Sequence, residues 1–312
     1  YVFYLAETRF ALWRMNPESP ITWVFAFVIY DFFYYWFHRI SHERQIFWAS
    51  HVAHHQSEDY NLSTALRQTG TGAFVSWVFY IPMFLIGIPS YVFISVASLN
   101  LIYQFWVHSE HIPKLGWFEN YFVTASNHRV HHAQNDQYID KNYGGVFIIW
   151  DRIFGTHKIE DESEPCIYGI RGTLNTFNPI WANLHVYVKI IKEMWLSKDW
   201  KDRLYAPFAR TGWTPKSFPE KAEKADFDPS NFKKYDPNIE NRHKIYAFFQ
   251  YLFITYIFLV FIQNESLNYY QLWVTISMMA FTMYCTSLWL DGKEGKIAEV
   301  VRLLLCLAIG LY

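Results

Sequence analysis

Residues 38–55 read HRISHERQIFWASHVAHH, and residues 128–132 read HRVHH. If both segments are helical, His38 and His42 are spaced i, i+4, and the clusters His51–His55 and His128–His132 are spaced i, i+3, i+4. Within each cluster the imidazoles then project from one helix face toward a shared point. Imidazole is a ligand for iron, zinc, copper and nickel, and these eight histidines exceed the number that one ion holds. The pattern therefore predicts a two-metal centre.

The composition indicates a membrane protein. The chain has 312 residues, of which 52% are apolar and 21% are aromatic, and Trp and Tyr are enriched where helices meet the membrane–water interface. The net charge of -1 gives no reason to expect nucleic acid as a partner. The chain contains no CxxC pair, which argues against a disulfide framework and a thiolate metal site; its three cysteines are Cys166, Cys285 and Cys306.

The chain ends also carry expectations. The sequence begins at Tyr1 without Met and ends within an apolar run at Tyr312, so we expect both ends to be truncated. No signal peptide is recognisable. Residues 1–13 are expected to be the tail of a preceding helix or a segment that lies at the membrane interface.

A long uncharged segment follows the second histidine cluster. The 40 residues between Arg67 and His108 contain no charged residue and no histidine, and one bilayer crossing needs about 20 apolar residues. We therefore predict a helical hairpin with crossings at about residues 70–87 and 90–107 and a Pro- and Gly-containing turn between them. Such a hairpin returns His108 to the membrane face that carries the first two clusters.

The remaining apolar segments complete a polytopic, all-α membrane protein. We predict one crossing before the first cluster and three in the C-terminal part, the last of them beginning near the chain end; these segments are residues 21–37, 245–264, 266–290 and 297–312. The charged stretch 196–243 is predicted to connect residues 1–195, which carry the histidine clusters, with the C-terminal transmembrane helices in 244–312.

The distribution of basic residues predicts the orientation. Placing residues 38–67, 108–244 and 291–296 in the cytosol locates 24 of the 27 Lys and Arg residues there. Arg9 and Arg14 lie on the other side and disagree with this arrangement. The histidine clusters then form a cytosolic cap that holds the two-metal site.

Several polar residues are candidates for supporting the histidines. A metal-bound imidazole needs an acceptor for its other ring nitrogen. Asp31 lies two helical turns before His38 in an apolar segment, so it either takes that role or bonds to a neighbouring helix. Glu58 and Asp59 are either further acceptors or the polar start of the next helix. We interpret four residues as structural support near the site: Asn142, Trp150, Asp151 and Arg152. Three isolated histidines are interpreted as ordinary polar residues: His157, His185 and His243.

The clusters resemble the HxxxH, HxxHH and HxxHH boxes of the fatty acid hydroxylase (sterol desaturase) superfamily of membrane di-iron oxygenases. The resemblance covers about residues 20–180. It is closest to the branch that cleaves alkylglycerol ethers, in the segments HHQSEDYNLSTALRQ at 54–68, YQFWVH at 103–108, NYGG at 142–145 and WDRIFGT at 150–156. Asn127 stands where that branch often has histidine, a departure that concerns the substrate more than the metal site.

The resemblance implies two iron ions, and His108 matches a histidine of the family. With His111 as an additional candidate, the implied ligands are His38, His42, His51, His54, His55, His108, His111, His128, His131 and His132. It also implies O2-dependent hydroxylation of a lipid at the carbon next to an ether oxygen, which yields a fatty aldehyde and a glycerol derivative. The implied membrane is the endoplasmic reticulum in a eukaryote and the inner membrane in a bacterium.

Electrons for this reaction must come from outside the chain, because neither a cytochrome b5-like haem segment nor a GxGxxG fingerprint is present. The resemblance implies tetrahydrobiopterin as the donor.

Three alternative functions differ in the residues that they need. Another lipid, such as a fatty acyl chain, a sterol or an aminolipid, is an alternative substrate within the same superfamily. A metal transporter is disfavoured because it needs ionisable residues along a crossing path, whereas residues 68–107 contain no ionisable group except tyrosine. A zinc hydrolase is disfavoured because its metal needs only three protein ligands and a water.

Overall fold

The computed structural model describes residues 2–217, 227–264 and 266–310, which contain no β-strand, as the all-α prediction requires. The α-helices of these residues are α1 (Val2–Arg9), α2 (Pro20–Glu43), α3 (Gln45–Ala49), α4 (Val52–His55), α5 (Leu62–Leu66), α6 (Ala73–Leu85), α7 (Ser90–Trp106), α8 (Ala125–His132), α9 (Ile149–Ile153), α10 (Pro179–Leu196), α11 (Trp200–Tyr205), α12 (Asn241–Ile262), α13 (Tyr269–Leu290) and α14 (Lys296–Gly310). Short 3₁₀-helices cover Gly116–Asn120, Ala206–Phe208 and Pro229–Asn231.

The chain divides into two compact units. The first unit comprises Tyr1–Thr173 and His185–Phe232, and the second comprises Leu174–Leu184 and Lys233–Tyr312. The first unit carries all of the histidine clusters. The predicted connector 196–243 and the predicted C-terminal helices include residues 218–226, Glu265 and residues 311–312, which lie outside the described residues.

Helix α2 is the central element of the first unit. It begins with Pro20, whose fixed φ suits the first helical position, and its 24 residues give a length of about 36 Å at 1.5 Å per residue. It is long and apolar enough to cross a membrane. The helix does not stop at the predicted end near residue 37 but continues past His38 and His42 to Glu43, where Arg44 adopts an extended conformation. The first histidine pair therefore lies on the last two turns of a spanning helix.

Helices α6 and α7 form the predicted helical hairpin, and α2 packs against both. The turn requires a glycine, because Gly87 has a φ of +89° and an added Cβ would lie 2.0 Å from the carbonyl oxygen of Trp13. The two arms contain 13 and 17 residues, which correspond to about 20 and 26 Å. Each arm is thus shorter than the hydrocarbon core of about 30 Å, and its full crossing stays a prediction.

The first residues of the chain cover the hairpin turn. The ring of Phe3 in α1 stacks on Phe84 with centroids 4.4 Å apart, and the Leu12 N–H donates to the Leu85 carbonyl at 2.7 Å. Glu7 accepts hydrogen bonds from the backbone and hydroxyl of Ser90, the first residue of α7. This segment is therefore packed on the hairpin in the first unit.

Polar pairs fix the register of α2 against α7. The Asn100 amide donates to Asp31 Oδ1 at 2.7 Å, and the Tyr34 hydroxyl donates to Gln104 Oε1 at 2.7 Å. The partners advance together along both helices, so α2 and α7 run parallel and both end on the same side. This arrangement places His108 beside the histidine end of α2, as the hairpin prediction requires.

The predicted connector does more than join two regions. The Gln45 side chain donates to Glu193 Oε2 and to the Ala206 carbonyl, both at 3.1 Å. Arg44 pairs with Arg210 as an isolated β-bridge and donates to the Phe208 carbonyl at 3.1 Å. The first part of the connector therefore packs against the residues that follow α2.

The second unit contains the C-terminal apolar helices. Helices α12 and α13 each have 22 residues and are long and apolar enough to cross a membrane, in agreement with two of the predicted segments, and their crossing stays a prediction. Helix α14 has 15 residues and does not reach a spanning length within the described chain. Glu299 and Arg302 form an ion pair on α14, and the Tyr246 hydroxyl of α12 donates to Glu299 at 2.5 Å. Together with α2, the described residues contain three candidate spans, which supports an integral membrane protein.

The hairpin makes a testable prediction about topology. In a chain whose cysteines are replaced by alanine, the substitutions Phe10→Cys near the turn and Lys114→Cys after His108 should label from opposite sides of sealed vesicles. Both side chains are exposed, whereas a side chain at Gly87 would collide with Trp13. An impermeant maleimide measures the labelling, and reaction of both positions from one side would contradict the arrangement.

Candidate metal centre

Nine histidines of the first unit lie in two groups. Within each group, one ring nitrogen from every member lies within 4.8 Å of the others. Group A comprises His38, His42, His51, His55 and His131, and group B comprises His54, His108, His128 and His132. All nine are buried except His51, which is half-buried. The sequence prediction of two metal sites therefore corresponds to two separate sets of ring nitrogens.

The two groups are interleaved along the chain. Residues spaced i, i+4 share a group, as His51 and His55 do in group A and His128 and His132 do in group B. The histidine at i+3, His54 or His131, joins the other group in both clusters. It directly precedes the histidine at i+4, and the side chains of adjacent helical residues point about 100° apart at 3.6 residues per turn. The expectation that each cluster points to one shared spot is thus wrong for these two clusters.

The distances between ring nitrogens suit shared metal ions. In group A, His51 Nε2 lies 3.1 Å from His38 Nε2 and 3.2 Å from His55 Nε2. In group B, His128 Nε2 lies 3.0 Å from His108 Nε2 and 3.2 Å from His132 Nε2. Two nitrogens bound at about 2.1 Å to one ion in octahedral or tetrahedral geometry are separated by roughly 3.0 to 3.4 Å. The residues therefore fit one ion in each group.

Buried nitrogens without a hydrogen-bond partner support the same fit. His42 Nε2 and His131 Nε2 of group A are buried and have no such partner. An unpaired buried polar atom costs free energy, and it calls for an explanation such as a bound ion. A metal ion in group A would satisfy both lone pairs.

Four backbone carbonyls orient the rings. Each accepts a hydrogen bond from a histidine Nδ1 and leaves the Nε2 lone pair free for a metal. The pairs are His38 with Tyr143 at 2.8 Å, His54 with Arg67 at 3.1 Å, His108 with Gln104 at 2.8 Å and His131 with Lys141 at 3.0 Å. Two members of each group are held in this way.

Burial keeps the histidines neutral. Removal from water lowers the pKa of His54 to about 4 and that of His108 to about 3. The same cause, strengthened by neighbouring histidines, lowers the pKa values of His51, His55, His128, His131 and His132 well below the usual value. Neutral imidazole is the form that binds metal, so the rings need no deprotonation near neutral pH.

Asp31 supports group A through a loop and not through a histidine ring. Its carboxylate accepts from the backbone of Val146 at 2.8 Å and Phe147 at 3.0 Å, and from the Trp150 indole at 3.0 Å. An added Cβ at Gly145 would lie 2.8 Å from Asp31 Oδ1, so glycine permits this approach. Of the two roles that the sequence left open for Asp31, the structure shows the bond to a neighbouring helix, because Asn100 of α7 and these donors occupy its oxygens.

Asp151 holds the peptide that orients His38. One carboxylate oxygen accepts from the Tyr143 N–H at 2.7 Å, and the other accepts from the Gly144 N–H at 2.8 Å. The Tyr143–Gly144 peptide thus receives the His38 hydrogen bond on its carbonyl and donates its N–H to Asp151. Burial raises the pKa of Asp151 to about 6, so the group is a carboxylate at neutral pH. Asp151 is a positioning residue for group A.

Asn142 fixes the same loop from the other side. It adopts a φ of +55°, and its amide donates to the carbonyls of Asn127 at 3.0 Å and Lys158 at 2.8 Å. Arg152 instead reaches the Glu119 carbonyl at the surface. Asn142 thus supports the site through contacts within the loop. Arg152 points outward, away from the histidine groups.

Other predicted positions lie apart from the ligand groups. His111 is exposed and lies outside both groups, because a turn in which its N–H bonds to the Ser109 hydroxyl follows the end of α7. This corrects its prediction as a ligand. Asn127 belongs to a capping box with Thr124 at the start of α8. Glu58 is half-buried with its side chain near Gly169, and Asp59 is exposed; their predicted acceptor roles stay predictions.

Some supporting residues had no clear signal in the sequence. The Arg67 guanidinium donates to the Ala53 carbonyl at the end of α4 at 2.6 Å, while its own carbonyl orients His54. Tyr60 packs against His108 and His132 of group B and stacks on Tyr168 with centroids 4.7 Å apart. Every residue type has a backbone carbonyl, so the sequence gives no signal for a carbonyl acceptor.

Comparisons with known proteins agree with this geometry. The sequence model of the Fatty acid hydroxylase family matches residues 23–156. Alkylglycerol monooxygenase of Homo sapiens is 38% identical over 305 residues, covering 96% of this chain and 68% of the human protein. Alkylglycerol monooxygenase of Xenopus tropicalis is 37% identical over 310 residues, covering 97% of this chain and 68% of that protein. The ornithine lipid hydroxylase of Rhizobium tropici is 28% identical over 164 residues, covering 49% of this chain and 48% of that protein. No solved structure matches the chain.

The candidate spanning helices and the paired histidine groups define a helical membrane protein whose clustered imidazoles could hold metal. The chain belongs to the fatty acid hydroxylase family. The family resemblance of the three histidine clusters is thereby confirmed.

The correction at His111 can be tested by paired substitutions. His108→Ala removes one of the four group B nitrogens and should lower the bound metal from two ions toward one. His111→Ala should leave the metal content unchanged, because its ring lies outside both groups. Elemental analysis of the purified variants measures the difference. Equal loss of metal from the two variants would restore His111 as a ligand.

The role of Asp151 can be tested in the same way. Asp151→Asn removes an acceptor from the Tyr143–Gly144 peptide, and we expect the affinity for the group A ion to fall by about 10- to 100-fold, as for other partners of metal-bound histidines. The matched control is Asp161→Asn, because Asp161 is exposed. Competition with a chelator measures the affinity. Equal affinities in both variants would show that Asp151 does not position His38.

Proposed function

We propose that this chain is an O2-dependent di-iron monooxygenase that cleaves alkylglycerol ether lipids. The observation that carries the proposal is the pair of histidine groups, which lies at one end of a spanning helix in a member of the fatty acid hydroxylase family. The relatives named alkylglycerol monooxygenase match almost the whole chain and support the choice of lipid. Group A would hold one iron and group B the other.

The metals would supply the redox chemistry that activates O2, which protein side chains do not perform alone. The chain itself supplies the rest of the site. Backbone carbonyls hold the rings of His38 and His131 in group A and of His54 and His108 in group B. Burial of these residues excludes water, and neutral ligands leave the positive charge of the metals uncompensated within each group.

The proposed reaction replaces a C–H bond beside the ether oxygen with C–OH. One atom of O2 enters the lipid, the other leaves as water, and two electrons and two protons are consumed. The product is a hemiacetal, which separates into a fatty aldehyde and a glycerol derivative. Since the reaction needs an external reductant, we propose a reduced pterin such as tetrahydrobiopterin. The proposed membrane is the endoplasmic reticulum in a eukaryote or the inner membrane in a bacterium.

Orientation of the lipid decides which C–H bond reacts. In an alkylglycerol the reactive carbon is separated from the headgroup only by the ether oxygen, so it lies near the membrane surface. The metal groups lie at the C-terminal end of α2, since His38 and His42 occupy its last two turns. A centre close to the membrane surface suits this carbon better than one in the middle of an acyl chain.

The proposal predicts where the product oxygen originates. Chain reconstituted in lipid nanodiscs with iron, a reduced pterin and 1-O-alkylglycerol under ¹⁸O2 should yield a fatty aldehyde that carries ¹⁸O, when the aldehyde is trapped by reduction before it exchanges with water. His42→Ala should abolish the product because it removes a group A nitrogen, while His157→Ala serves as the matched control outside both groups. Mass spectrometry measures the label.

Two other results would contradict parts of the proposal. Aldehyde that contains oxygen from water would exclude a monooxygenase mechanism. An iron-loaded protein that leaves alkylglycerols intact but hydroxylates an ornithine lipid, a sterol or a fatty acyl chain would exclude the ether-lipid substrate and retain the monooxygenase chemistry.

A further inference from the structure

An exposed apolar row runs along α10 and α11 in the first unit. From residue 185 onward, the outward side chains follow spacings of three and four residues within α10, and the row resumes five residues later in α11 and continues into the next 3₁₀-helix. The row comprises Val188, Ile191, Trp195, Trp200, Leu204 and Phe208, with exposures from 45% to 81%. Two of these six are tryptophan. We refer to these six side chains as the anchor row.

The opposite face of α10 packs against the segment that carries the second histidine cluster. Val186 and Ile190 form a buried core with Ala49 and Val52, and Val52 begins α4. Helix α10 is therefore fixed to the residues between the first two histidine clusters. The anchor row consequently has a defined position relative to the metal groups.

Two contacts place the anchor row at the level where the chain enters the membrane. The Tyr187 hydroxyl bonds to the Thr71 hydroxyl at 2.9 Å, and Thr71 lies two residues before the apolar helix α6. At the other end of the row, the Phe208 carbonyl accepts from Arg44 at 3.1 Å, and Arg44 directly follows the spanning helix α2. Both ends of the row thus meet residues that flank neighbouring apolar helices, α6 at one end and the candidate span α2 at the other.

Basic residues accompany the anchor row. Exposed cations lie beside it at Lys192, Lys198, Lys201 and Arg203, whereas Lys189 pairs with the buried Glu193. Lysine and arginine side chains bind phosphate groups at a membrane surface, while tryptophan prefers the boundary between headgroups and acyl chains. An apolar row with this border fits a lipid surface better than water.

We propose that α10 and α11 form an interfacial anchor, in which the anchor row inserts into the lipid leaflet on the histidine side of the membrane. The basic residues contact lipid phosphates, and the inner face of α10 holds the second histidine cluster. The anchor thereby fixes the depth of the metal groups relative to the membrane surface. This inference does not depend on the substrate that the centre oxidises.

The proposal is tested with the full chain in nanodiscs that contain one copy each. Cysteines are replaced by alanine, and an environment-sensitive fluorophore is attached at Trp195→Cys or, independently, at Leu204→Cys. We expect blue-shifted emission, strong quenching by lipid with a nitroxide near the headgroup, and protection from aqueous iodide. The matched control is Glu162→Cys on the exposed loop after α9, where iodide should quench and the lipid nitroxide should not.

The outcomes separate the membrane from other occupants. Quenching of both anchor positions by iodide and not by the lipid nitroxide would overturn the proposal. Protection that appears only in nanodiscs with two copies would also overturn it, because the row would then contact a second copy of the chain. Retention of two metal ions by the labelled variants verifies that the substitutions leave the fold intact.

Discussion

The structure depends on burying nine neutral imidazoles whose metal-binding nitrogens face one another. In each group, lone pairs converge at distances that would be unfavourable without a cation between them. The arrangement is stable only if the other ring nitrogen of each imidazole is fixed by a hydrogen bond. Backbone carbonyls accept that bond from His38, His54, His108 and His131. Relief of the repulsion between lone pairs and orientation of the rings are therefore separate requirements: metal ions would supply the first, and the backbone supplies the second.

The loop at residues 141–147 shows that ring orientation also depends on residues that do not contact the rings. It provides carbonyls to two group A histidines, and a carbonyl can orient a ring only if the loop itself is rigid. Asp31 and Asp151 accept the backbone N–H groups of this loop, and neither touches a ligand ring. Two buried carboxylates, expensive to place in an apolar environment, are thus paired with donors that serve the metal site indirectly.

The histidines that form the two groups could be predicted from the sequence because their i, i+3 and i+4 spacings are chemically specific. The two helices of the hairpin were also predictable, since 40 uncharged residues with Pro and Gly near the middle favour two apolar helices joined by a turn. The division of the histidines into groups was not, because α4 is a four-residue helix whose direction depends on tertiary contacts. His111 lies outside both groups because α7 ends at Trp106, and the turn that follows this helix leaves the His111 side chain exposed.

The interleaving of the groups has a consequence for metal loading. Because both HxxHH clusters contribute to each group, an ion that binds in group A fixes His51, His55 and His131, and with them the backbone that carries His54, His128 and His132 of group B. A first ion would therefore lower the conformational entropy cost of binding a second. Two ions bound in this way would load with positive cooperativity, unlike ions at two independent sites.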